Sequence, residues 1–196
     1  MQLLKQTFKN YTKDNNKLWL EIVHCHDKRA YHNLKHLEYI YQELVALKSE
    51  IEDFEAIFYA ICYHDIIYDI DSKDNEFKSA IFASNRLSSL QISKKTIERT
   101  FNHILATQKH QKTDNGDTNL FIDADLSILA SPKYKKYQIA IREEYCKYSD
   151  EEFRDGRRRV IDYFLNQKRI YHSDYFHDRY ESMARDNLSK ELKLFT

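Results

Sequence analysis

Two glycines, Gly116 and Gly156, and one proline, Pro132, serve a chain of 196 residues. Hairpins and tight strand connections need residues that reach positive φ or preset a turn, and a chain this poor in them has little means of building either. An all-α fold follows. The 15 tyrosines and 11 phenylalanines would favour strands on propensity alone. The apolar residues nevertheless recur at helical spacing, as Tyr39, Ile40, Leu44 and Leu47 do, with polar residues on the other face.

Helix-start chemistry divides the chain. Ser93 precedes KKTIERTFNHILAT, Ser131 precedes Pro132, and Ser149 with Glu152 has capping-box spacing. These signals predict about eight to nine helices, near 3–11, 16–25, 33–48, 52–67, 74–90, 94–109, 132–147, 150–166 and 173–193. The stretch QKTDNGDTN, 111–119, reads as a turn loop too short to link domains. A length suited to one domain of roughly 150 to 200 residues makes 1–196 a single domain.

Lys plus Arg equals Asp plus Glu at 31 each, so no global field attracts nucleic acid or an anionic bilayer. No extended nucleic-acid partner and no membrane are expected, since no run approaches the ~20 apolar residues that span a bilayer. Cys25, Cys62 and Cys146 are scattered and form no CxxC pair, which fits a reducing, cytoplasmic setting.

Against this background AIFYAICYHDIIYDI, 56–70, is anomalous. Read as a helix, it aligns Ala56, Ile57, Ala60, Ile61 and His64 on one face, with Asp65 about 100° around. An ionised carboxylate there without a partner costs several kcal/mol. A divalent cation bound by both residues answers that cost; so does a His–Asp pair capping the helix end. His26-Asp27 and His177-Asp178 lie in charged surroundings and read as solvated surface. Upstream, RAYHNLKHLEYI places His32 and His36 four apart, on one helical face; downstream, LFIDADLSIL interrupts an apolar run with Asp123 and Asp125. Three apolar segments thus each carry ligand-type side chains.

The order His, His-Asp, Asp resembles the HD-domain metal-dependent phosphohydrolases. It is most similar to a branch with YHNxxH, HDxxYD, NExxSA, TxxH and DADLxIL segments, here Tyr31 to His36, His64 to Asp69, Asn75 to Ala80, Thr107 to His110 and Asp123 to Leu129, extending to RIYHS at 169–173. Ala130 stands where that branch often has Gly. The resemblance implies a helical bundle whose helices from about 131 pack on a metal-binding core. It implies His36, His64, Asp65 and Asp125 as ligands to a divalent ion (Mn, Fe, Co, Ni, Mg or Zn), with Asp123 supporting the ligands rather than binding.

The implied reaction is hydrolysis of a small phosphate ester, a nucleotide among the candidates, by attack of metal-activated water. Glu76 or Asp69 would accept the proton, and His32 or His110 would stabilise phosphate charge or protonate the leaving oxygen. Each has a plainer reading: Glu76 on a solvated face, His110 facing a helix dipole, Asn33 a cap, Arg157 to Arg159 a solvated charge run, Tyr31 and Tyr68 cavity wall rather than a base-stacking surface. Two alternatives stand beside the mononuclear hydrolase: a binuclear phosphodiesterase using His32 and His110, and a non-catalytic nucleotide-sensing or structural metal-bound helical protein. A homodimer stays open.

Overall fold

The computed structural model describes residues 2–195, and among them it contains ten α-helices, two short 3-10 turns and no strand. The all-α expectation holds, with one helix more than the upper figure. No helix among the described residues is long and apolar enough to cross a membrane.

The chain packs as two compact units, Met1–Ile122 and Asp123–Thr196. The first holds α1 (Gln2–Tyr11), α2 (Asn16–His26), α3 (Leu34–Val45), α4 (Phe54–Tyr63), α5 (Asn75–Ser89), α6 (Lys94–Ala106) and most of α7 (Gly116–Leu126). Its centre is α4, whose residues other than Glu55 are buried and which packs against α3, α5 and α6. A helix apolar on all sides has to be surrounded. Ile57, Phe58 and Ile61 are fully buried, worth about 1.5–3 kcal/mol each.

Polar groups fix the start of α4. Asp53 caps it by accepting the Ala56 N–H, and the Asp117 carboxylate accepts the N–H groups of Glu52 and Asp53 at 3.0 and 2.9 Å. Asp117 belongs to the first turn of α7, the helix missing from the sequence reading. Asn115 caps that helix by accepting the Thr118 N–H at 2.8 Å, and Asn119 ties back to both backbone groups of Thr113. The Asn, Asp and Gly residues of 111–119 therefore supply helix-start chemistry rather than a free turn.

Other ends lie close to expectation. Ser93 caps α6, and the Ser149–Glu152 capping box opens α9 (Asp150–Leu165). In the second unit, α8 (Tyr134–Glu144) begins two residues later than expected from Pro132, because the Ser131 side chain accepts the Lys133 N–H and forms a separate turn first. α10 (Asp174–Leu192) packs on α9 and on the 3-10 turn Ser127–Ala130. Arg157 is buried there, donating to Glu191 at 2.9 and 3.0 Å and to Tyr134 at 3.1 Å. That corrects the solvated reading of the DGRRR run at this position; Arg158 and Arg159 are exposed.

Neither glycine needs its freedom. Positive φ falls instead on Lys13, Asp14, Lys28, Gln91 and His110. Gly156 lies inside α9, and an added Cβ would meet only Arg159 Nη2 at 3.9 Å. Gly156→Ala should therefore stabilise the fold by about 0.5–1 kcal/mol, read as a raised urea midpoint.

Two buried histidines set an acid limit. His103 bonds Thr118 Oγ1 at 2.8 Å through Nδ1, and His26 bonds the Ile22 carbonyl at 2.8 Å. Burial pushes both rings from 6.5 down to about 4. Above pH 6.5 neither state is charged; as pH falls the unfolded chain takes up protons that the folded rings refuse until about 4. Stability is therefore lost across that window at about 1.4 kcal/mol per pH unit for each ring. In His103→Gln the urea-unfolding free energy should fall less steeply with acid, by about that one-ring slope.

Candidate metal centre

The core helix stops where the candidate donors begin. α4 was expected to run to 67 but ends at Tyr63, and His64 is its C-cap, still in helical backbone geometry. The residues beyond are held in an irregular path by groups from elsewhere. His64 Nδ1 bonds the Ile61 carbonyl at 3.1 Å, and the Ile66 N–H bonds the Tyr63 carbonyl at 3.1 Å. Ser79 Oγ, fully buried on α5, accepts the Ile67 N–H at 3.1 Å and donates to the Ile67 carbonyl at 3.2 Å. Asn75 bonds both backbone groups of Asp69. The Asn and Ser of the NExxSA segment thus clamp the HDxxYD segment and satisfy backbone groups that a helix would have paired internally.

The upstream segment is irregular too. α3 begins only at Leu34, so His32 lies before the helix, not on a shared helical face with His36. Asn33 is the N-cap: its Oδ1 accepts the Lys35 N–H, and its Nδ2 donates to the carbonyls of Arg29 and Ala30 at 3.1 and 3.0 Å. The capping reading of Asn33 is the one the geometry supports.

These two segments bring three donor atoms together. His36 Nε2 is 3.3 Å from His64 Nε2, His64 Nε2 is 2.8 Å from Asp65 Oδ2, and His36 Nε2 is 3.7 Å from Asp65 Oδ2. A triangle with these sides has a circumradius of about 1.9 Å, so a point at ordinary metal–ligand distance from all three atoms, about 2.0–2.2 Å, lies just off their plane. Adjacent donors at such bond lengths sit about 3.0 Å apart in an octahedron and about 3.4 Å in a tetrahedron, and the observed separations span both. Among the described residues this is the set of three His, Cys, Asp or Glu donor atoms that lie within 4.8 Å of one another.

The electrostatics suit a cation. The Ile61 carbonyl fixes the hydrogen of His64 on Nδ1 and turns the Nε2 lone pair toward His36 and Asp65, the tautomer a metal ligand needs. A lone pair 2.8 Å from a carboxylate oxygen requires positive charge between them, a proton or an ion. Burial opposes ionisation of Asp65, but His64, His32 and His36, when protonated, outweigh it and hold the carboxyl well below the usual carboxylate range; with the rings neutral, a cation would supply that positive charge. Neutral nitrogen and anionic oxygen in this combination bind Mn, Fe, Co, Ni or Zn ions well.

The remaining expected residues lie around or away from this set. His32 is half-buried, its ring 5.5 Å from that of His36 and 4.4 Å from that of Tyr68; Tyr31 packs 4.9 Å from His36. Glu76 is half-buried in the first turn of α5. Asp69 is exposed, and its carboxylate accepts the Asp71 N–H in a turn. His110 follows α6 by one turn at φ 48°. Asp125 lies near the C-terminal end of α7, in the second unit, half-buried. Within that unit Asp123 is fully buried and accepts the N–H groups of His172 and Ser173 and the Ser173 hydroxyl at 2.6–3.0 Å, which anchors the start of α10.

Of two residues near the centre, the sequence reading assigns one to the surface and gives the other no role. His26 was read as surface, yet only 1% of it is exposed; the charges around its dipeptide belong to Asp27 and Lys28, which do face outward. Arg29 lies beside the motif and donates to main-chain carbonyls of the ligand segments.

No family model, curated protein or solved structure matches the chain. Ser79→Ala should leave both backbone groups of Ile67 without a partner, lower stability by about 1–3 kcal/mol in urea unfolding, and speed amide exchange at Ile67.

Proposed function

We propose that the chain is a metal-dependent phosphohydrolase of the HD type, acting on a small phosphate ester, with nucleotides the first substrates to try. The observation that supports this most is the convergence of His36 Nε2, His64 Nε2 and Asp65 Oδ2 to within 3.7 Å of one another at the end of a buried helix. When bound, a divalent cation supplies a Lewis acid that polarises a phosphoryl oxygen and makes water more acidic.

The protein's own groups take the remaining roles. Asp65, held ionised by its three imidazole neighbours, contributes the anionic ligand. His32, half-buried with its ring against those of Tyr31 and Tyr68, would bond a phosphate oxygen or give a proton to the leaving oxygen. Glu76 or Asp69 would accept the proton of the attacking water; Asp69 Oδ1 also accepts the Asp71 N–H. His110 is assigned a supporting role toward phosphate charge.

The test is Asp65→Ala against the parent, both purified without chelators. Elemental analysis should find about one divalent ion per parent chain and background in the variant. Turnover of a panel of nucleotides and sugar phosphates should vanish with the metal while circular dichroism stays that of a folded helical protein. Metal in the parent with no turnover on any ester would favour the non-catalytic reading; metal in the variant at the parent's level would overturn the site.

A further inference from the structure

We infer that Arg29 is a positioning residue of the candidate metal centre, a guanidinium staple that fixes the Asp65 ligand against the segment leading into His36. The inference rests on the metal-dependent reading above. Arg29 Nη1 donates to the Asp65 carbonyl at 2.5 Å and reaches the His32 carbonyl at 3.4 Å, while Nη2 donates to the Ile66 carbonyl at 3.2 Å. One planar group thereby contacts the backbone of Asp65, its successor and a residue 33 positions or more upstream of them.

The arm is itself held. Asn33 Nδ2 donates to the Arg29 carbonyl at 3.1 Å, and the guanidinium carbon lies 5.2 Å from the centre of the Tyr68 ring, which packs on His32. The segment being stapled needs such support, since beyond His64 the backbone has left the helix and its carbonyls have no helical donors. An aspartate whose main chain is fixed presents its carboxylate in one place, and partners that orient ligands in this way typically govern metal affinity by 10–100-fold.

Charge makes a contrary prediction. A guanidinium close to a cation site repels the cation, so if charge were its main effect, removing Arg29 would tighten binding. Lysine separates the two: it keeps the charge but replaces the flat fork with a single point donor.

The experiment is calorimetric titration of Co²⁺ into metal-free parent, Arg29→Lys and Arg29→Gln, each shown by near-UV circular dichroism to be folded at the working temperature. Staple action gives an order of affinity parent, then Arg29→Lys, then Arg29→Gln, with the last weaker by about 10–100-fold. Arg29→Gln binding as tightly as the parent, or more tightly, overturns the inference, as does Arg29→Lys equal to the parent. Should Arg29→Gln fail to fold, the comparison of parent with Arg29→Lys decides. A parent that binds no Co²⁺ overturns the reading beneath the inference and the inference with it; a parent that binds while the variants match it overturns the inference alone.

Discussion

A carboxylate and two imidazoles share the end of the most buried helix in the first unit, and the surrounding structure answers to the cost of putting them there. Asp65 has 16% of its side chain exposed and the two histidines 2% each, so water can do little to solvate the charge. A buried anion without positive charge nearby is one of the most destabilising features a core can contain. Three nitrogen-bearing rings around Asp65 meet part of that demand, and a cation at the point equidistant from the three donor atoms would meet it more fully.

Holding donors at such separations requires rigid backbone, yet a continued helix would carry Asp65 around and away from His64. The chain resolves the conflict by ending α4 at Tyr63 and letting other elements hold the irregular stretch that follows. Ser79 and Asn75 act from α5, the His64 ring acts on the last turn of its own helix, and Arg29 acts from the segment before α3. Motif residues that look like chemistry in the sequence, the Asn and Ser of NExxSA and the Asn of YHNxxH, serve as backbone anchors.

Much of this was legible beforehand. Scarcity of Gly and Pro pointed to helices, and the caps Ser93 and Ser149 marked starts correctly, because capping is a local event between residues two or three apart. His64 and Asp65 are legible as polar residues in an apolar run, whereas the resemblance, not the run, singles out His36 from His32. The end of α4 was not, since the groups that terminate it come from as far away as Arg29 and Ser79. α7 was missed because Asn, Asp and Gly serve helix starts and turns alike, and only the bond from Thr118 to Asn115 tells which. His26 and Arg157 were misread for one reason: sequence neighbours of a helical residue face other directions, so a charged dipeptide or run says little about where one member points.

The most direct measurement is anomalous diffraction from a crystal grown or soaked with Mn²⁺ or Co²⁺. A single strong peak about 2.0–2.2 Å from His36 Nε2, His64 Nε2 and Asp65 Oδ2 is the predicted result. Density showing the three side chains bonded directly to one another through a proton, with no peak at saturating metal, would contradict it.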